Sequence, residues 1–252
     1  MEGVWIAVFI LLGMIVAGFL NVIIDRLPNK ELLLSARFYC SSCHHRLTIK
    51  DLIPVFGYSR LRARCRYCKS PVSRRPLWVE IGTAFLFGYL CWHYGLSVDL
   101  AVTAFYCCLF IIIMVIDLEH QLILNKVTYP AMVAALLIAL VPSEPGIIGA
   151  AIGGSIGLVL FLLVAAVSRG GIGLGDVKLA ALIGLVTGYP LVFIALVLAI
   201  ILVGLAAIVL LISKKKSGKE GIPFGPSLSL AAIATLLYGA EMLQWCRDVF
   251  QV

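Results

Sequence analysis

Charge is the scarce ingredient of this chain: 13% of its 252 residues are Asp, Glu, Lys or Arg, against 62% hydrophobic, and the mean hydropathy is +1.07. So little charge excludes an ordinary soluble globular domain, where about a quarter of residues are charged. The first apolar run, 4–24, lacks a basic stretch before it and a small-residue cleavage site after it. It is expected to remain as an anchor and not to be removed as a leader. The net charge of +7 comes without any nucleic-acid recognition motif, so no nucleic-acid partner is expected.

What the chain does have is a series of apolar segments. They begin near Val4, Leu77, Asp99, Val127, Gly146, Asp176, Leu191 and Ser227. Each is read as a membrane span of about 20 residues, the sixth being short. The expected fold is therefore all-α, a polytopic helical bundle of about eight transmembrane helices in a lipid bilayer. Basic residues set its orientation, because loops rich in Lys and Arg stay on the cytoplasmic side. Twelve of the chain's 20 basic residues fall in 25–75, beside only Asp25, Glu31 and Asp51 as acids. That loop is placed in the cytoplasm. Threading eight spans from an outside N-terminus then puts Lys126, Arg169, Lys178 and the Lys214, Lys215, Lys216, Lys219 cluster inside, while the loops around Ser97, Ser143 and Tyr189 carry no Lys or Arg. Contact between the basic loops and anionic lipid is a further expectation.

Within the basic loop, Cys40-Ser-Ser-Cys43 and Cys65-Arg-Tyr-Cys68 form two C-x2-C pairs separated by 21 residues. Each pair can present two sulfurs to one ion, and four thiolates suit a closed tetrahedral zinc site. Arg60, Arg62, Arg64, Arg66 and Lys69 lie close by in sequence, where positive charge favours the thiolates a metal needs. Two disulfides, a redox pair or an iron–sulfur site are the alternatives, and a cytosolic location weighs against the first. Cys91, Cys107, Cys108 and Cys246 lie in apolar segments and read as small packing residues. His44 and His45 read as solvated loop residues.

Two carboxylates stand out against the apolar background. Asp117 ends the third segment in Val115-Ile116-Asp117-Leu118-Glu119-His120-Gln121, and Asp176 opens the sixth in Gly171-Ile172-Gly173-Leu174-Gly175-Asp176-Val177-Lys178. An ionisable group near hydrocarbon costs at least about 2.5 kcal/mol, which makes each a candidate functional residue. The topology brings both to the cytoplasmic surface. Glycines before Asp176 are expected to supply positive φ or close backbone approach. Two apposed carboxylates do not both ionise cheaply, so one can hold a proton while the other activates water for attack on an amide. The structural alternative is that Asp176 caps its helix and Asp117 pairs with Lys126 or Lys178. Glu80, at the cytoplasmic start of the second span, is a further candidate, with an ion pair to Arg74 or Arg75 as the alternative. Gly149, Gly153 and Gly157 form a small-residue stripe expected to pack within the bundle.

Taken together, these motifs resemble the type IV prepilin peptidases, the bifunctional leader peptidase and N-methyltransferase family with Gly-x-Gly-Asp intramembrane aspartyl chemistry. The resemblance spans nearly the whole chain. It includes Phe19-Leu20-Asn21-Val22-Ile23-Ile24-Asp25-Arg26-Leu27-Pro28, the paired cysteines, Arg75-Pro76-Leu77-Trp78-Val79-Glu80, both aspartate segments, and Ile222-Pro223-Phe224-Gly225-Pro226. It implies cleavage of type IV prepilins and type II secretion pseudopilins after a glycine that ends a basic leader, at the cytoplasmic face of the bacterial inner membrane. Asp117 and Asp176 match the catalytic pair. It also implies methylation of the new N-terminal residue with S-adenosylmethionine as donor, an activity associated with the cysteine-bearing insertion. No glycine-rich strand-turn-helix of a soluble methyltransferase is present, so the donor site is assigned no residues beyond the candidate Glu80. After Asp117 the family has Ile-Pro-Asn, whereas this chain has Ile123-Leu124-Asn125, with Asn125 expected to cap the fourth helix.

The expected organisation is a first transmembrane helix over 1–24, a cytoplasmic four-cysteine domain over 25–76 linked to methyl transfer, and a membrane-embedded peptidase over 77–252. A peptidase with a purely structural zinc insertion is the first competing reading. A proton-coupled transporter is the second, although its carboxylates are expected near the bilayer midplane. The sequence leaves oligomeric state open.

Overall fold

The computed structural model describes residues 2–29, 68, 70, 74–141, 145–168, 173–212 and 223–250. Eight helices are present among them: α1 Glu2–Arg26, α2 Arg75–Tyr94, α3 Val98–His120, α4 Asn125–Ile138, α5 Gly146–Val167, α6 Leu174–Thr187, α7 Leu191–Ile212 and α8 Gly225–Phe250. The described residues contain no strand. Every helix begins within two residues of its expected start. Five of them, α1, α3, α5, α7 and α8, are long and apolar enough to cross a membrane. The 14-residue helices α4 and α6 would rise only about 21 Å, short of a hydrocarbon core of about 30 Å.

The chain divides into two compact units, 1–108 and 109–252. In the first, α1 and α2 pair antiparallel. Gly13 meets the backbone of Thr83 and Ala84, and Gly88 meets the side chain of Ile10. The polar end of this hairpin is closed by Asn21 Nδ2 donating to the Pro76 carbonyl at 3.2 Å and by an Arg75–Asp25 ion pair. These contacts hold together the two points between which the basic loop leaves and returns.

In the second unit α6 is the central element. Its residues Val177, Leu179 to Gly184, Val186 and Thr187 are buried, as expected for a helix that is apolar all round. Helices α4, α5, α7 and α8 surround it. The approach of α5 is closest. Gly153 faces the main chain of Gly184, and Gly157 faces that of Ala180, so the glycine stripe packs inside the bundle as its spacing suggests. The next helix shows the inverted order expected in lipid. On α7, Val192, Ala195 and Ala199 are buried, whereas Phe193, Val197, Ile200, Ile201 and Leu205 are exposed. In water so large an apolar surface would drive association; against acyl chains it is the solvated face.

Candidate active site

Asp117 sits in the last turn of α3 and is 5% exposed. The helix stops three residues later, at His120. Gln121 adopts φ 53° and its N–H bonds to the Asp117 carbonyl at 2.9 Å, the left-handed ending that satisfies a terminal carbonyl. Asp176 is the third residue of α6 and half-buried. The cap of α6 is Gly173, which makes no side-chain cap bond, so Asp176 is not the helix cap. The two aspartates approach closely enough for the charge of Asp117 to act on Asp176. The main-chain N–H groups of Gly225 and Gly173 face Asp117 and Asp176 respectively. Asp117 Oδ2 is buried without a hydrogen-bond partner among the described residues.

The connector between α3 and α4 helps to set this geometry. A Cβ at Gly175 would stand 3.1 Å from the Ile123 Cβ, so α6 approaches the connector closely at a glycine. The reason is proximity and not positive φ. Gly173 has φ −74°, and the positive-φ glycines among the described residues are Gly95, Gly146 and Gly188. Lys178 does not supply the ion pair considered for Asp117. Its Nζ donates to Asn125 Oδ1 at 2.9 Å and lies 5.1 Å above the Tyr129 ring. Asn125 is therefore not a cap either: α4 is preceded by Leu124, which makes no side-chain cap bond, and the Asn125 side chain ties α4 to α6.

Comparison with known proteins places the chain in a family. Residues 104–208 match the model of the type IV leader peptidase family, and residues 11–94 match that of the bacterial peptidase A24 N-terminal domain. The chain is 30% identical to a prepilin leader peptidase/N-methyltransferase of Pseudomonas putida, with 92% of this chain and 90% of that protein covered. Proteins of the same description from Dickeya chrysanthemi and Dichelobacter nodosus are 31% and 34% identical, covering 93% and 81% of this chain and 93% and 72% of theirs.

The chain belongs to the type IV leader peptidase family.

No solved structure matches it. Both aspartates fall within the stretch matched by the leader peptidase model, and Glu80 within the N-terminal one. Glu80 is 2% exposed on α2, an interior position for a carboxylate on a strongly apolar helix. Of the four metal-candidate cysteines, Cys40, Cys43 and Cys65 lie outside the described residues. Cys68 is exposed, with its Sγ 3.0 Å from Ser70 Oγ. Among the described residues no group of three or more His, Cys, Asp or Glu is disposed to hold a metal.

In the sequence Gly225 stands only as part of the Ile222-Pro223-Phe224-Gly225-Pro226 segment that carries the resemblance, with no role of its own. The structure puts Gly225 directly against the Asp117 carboxylate.

Proposed function

We propose that this protein is a prepilin leader peptidase and N-methyltransferase of the bacterial inner membrane. It removes the basic leader of prepilins and pseudopilins after a glycine at the cytoplasmic face, and then methylates the new N-terminus. The observation that carries the reading is a pair of carboxylates, Asp117 buried at the end of α3 and Asp176 half-buried at the start of α6, near enough for the charge of one to act on the other, in a chain whose relatives bear that description over most of their length.

In the proposed cleavage, one carboxylate accepts a proton from water as the water oxygen bonds to the scissile carbonyl carbon. The other, protonated, gives its proton to the carbonyl oxygen. As the tetrahedral species collapses, one of its hydroxyls returns a proton to the second carboxylate, the C–N bond breaks, and the proton first taken from water goes to the leaving amine. This sharing of protons uses the mutual repulsion of two nearby carboxylates. The short helices favour the same picture. Because α6 is short and begins at Leu174, its aspartate-bearing turn lies at a helix end that can meet both water and an extended peptide. The attacking amine in the second reaction is the N-terminus just released. S-adenosylmethionine, when bound, would supply the methyl group for that nitrogen. Glu80 is the candidate residue for that step, by its burial on α2.

The donor set Cys40, Cys43, Cys65 and Cys68 fits zinc in its chemistry: two short pairs of soft ligands in a basic loop. Zinc there would supply structure, tying the pairs together.

Mass spectrometry of a prepilin-like peptide incubated with the purified protein and S-adenosylmethionine tests the reading. Cleavage after glycine plus one methyl group is expected, with cleavage lost by at least about a thousandfold in Asp117→Asn and in Asp176→Asn. Methylation of a pre-cleaved peptide should persist in both variants. Retained cleavage in either variant would refute the paired-aspartate mechanism, and cleavage without methylation would leave a peptidase alone.

A further inference from the structure

Gly225 opens α8, and a Cβ there would stand 2.5 Å from Asp117 Oδ2, 2.9 Å from Cγ and 3.2 Å from Cβ. Among the described glycines it is the one pressed this tightly against an acidic side chain. The tight contacts of Gly153, Gly157 and Gly184 are with backbone of a neighbouring helix, and those of Gly88 and Gly154 are with aliphatic side chains. The contact at Gly225 is therefore unlike ordinary helix packing.

The backbone at Gly225 has little freedom to yield. Phe224 packs on Phe161 of α5 with ring centroids 5.7 Å apart, and its carbonyl accepts from the Leu228 N–H at 3.1 Å. Leu228 and Ser229, in the first turns of α8, are wholly buried. Pro223 and Pro226 flank the glycine, and each has its φ fixed by its ring. With the elbow held on both sides, the carboxylate is the part that must move when a methyl group is added. The Gly225 N–H also faces that carboxylate.

We propose that Gly225 is a positioning residue for Asp117: the rigid Pro223–Pro226 elbow presses a backbone without a Cβ against the carboxylate and fixes where it stands relative to Asp176. The proposal rests on the reading of Asp117 as one of the catalytic pair. Its chemical content is orientation. A misplacement near 1 Å in a reacting constellation can lower turnover about a hundredfold, and the methyl group of alanine demands a displacement of that order.

The test is steady-state cleavage of a prepilin-like peptide by wild type, Gly225→Ala, Pro223→Ala, Pro226→Ala and the control Gly204→Ala. Gly204 lies on α7 with nothing within 4 Å of its would-be Cβ. For Gly225→Ala, kcat should fall about a hundredfold, with KM within about twofold of wild type. The two proline variants loosen the elbow without filling it, and should each lose about tenfold in kcat at unchanged KM. They keep the question open to test should Gly225→Ala fail to fold, which thermal unfolding in detergent reports. Gly204→Ala should match wild type. Variants that cleave at the wild-type rate, or that change KM alone, overturn the positioning role. Loss of activity only in step with loss of the folded state overturns it too, by assigning the elbow to stability. If wild type itself leaves the peptide intact, the peptidase reading fails and this proposal fails with it.

Discussion

Leu124 stands where the family carries proline, and its backbone explains how the chain manages without one. Its φ of −77° and ψ of 123° lie within the range that a proline ring imposes, and its N–H makes no hydrogen bond among the described residues. Proline would therefore fit the φ at this position and remove no hydrogen bond there. Its effect would fall on the unfolded chain, and Leu124→Pro is expected to stabilise the protein by about 0.4–1 kcal/mol while leaving the cleavage rate within about twofold. Thermal unfolding and peptide cleavage, measured together, check this; a large rate gain would mean that the connector's order limits turnover. At this scale the sequence was legible where a residue's chemistry conflicts with its surroundings, as with Asp117, Asp176 and Glu80, whose carboxylates interrupt apolar runs. It was not legible where the meaning of a residue lies in a distant partner. Asn125 has the composition of a helix cap but accepts from Lys178, 53 residues away. Gly225 looks like loop punctuation until α8 is set against α3.

The helices themselves were visible as elements because each is an apolar run bounded by charge, glycine or proline, and such boundaries survive whatever the helices pack against. Their partners were less visible. The glycine stripe of α5 announced a close approach, but nothing in the sequence named Gly184 as the residue opposite Gly153. That pairing makes two alanine substitutions differ sharply. At Gly184 a Cβ would collide with the carbonyl group of Gly153, whereas at Gly204 it would meet open space. Gly184→Ala is expected to destabilise by about 1–3 kcal/mol, the cost of overpacking. Gly204→Ala should be neutral or stabilising by up to about 1 kcal/mol, from helix propensity alone. Unfolding of the two variants in the same detergent distinguishes them, and equal midpoints would show that the α5–α6 seam relaxes freely.

For the molecule as a whole, the basic loop and the membrane helices make separable demands. If the four cysteines hold zinc, the purified protein should contain about one zinc per chain, and Cys40→Ser with Cys65→Ser should remove most of it, since loss of ligands breaks a closed tetrahedral site. Elemental analysis reads the metal content directly. Under the bifunctional reading, methylation falls with the metal, while cleavage, which depends on α3, α6 and α8, stays within about threefold. Parallel loss of both activities would instead make the loop part of the peptidase fold.

Topology is the larger question, because length and hydropathy qualify five helices as spans while the charge pattern calls for eight crossings. The two counts differ at α2, α4 and α6. Helix α2 has 20 residues but carries Arg75, Glu80 and His93; α4 and α6 are short. Helix α6 is nevertheless bordered by the partners a short crossing requires, since it is buried among α4, α5, α7 and α8 and does not face lipid alone. Burial in protein relaxes the need for length, because neighbouring helices satisfy and shield backbone that ends below the membrane surface. All eight are therefore expected to cross. Reporter fusions at Ser97 and Tyr189 should be active outside the cytoplasm, and fusions at Lys126 and Lys214 inside it, as the distribution of Lys and Arg demands. If α6 did not cross, Tyr189 would report inside with Lys178, and α7 would have to run outward. That would carry the Lys214 to Lys219 cluster away from the cytoplasm, against the rule that orients every other basic loop.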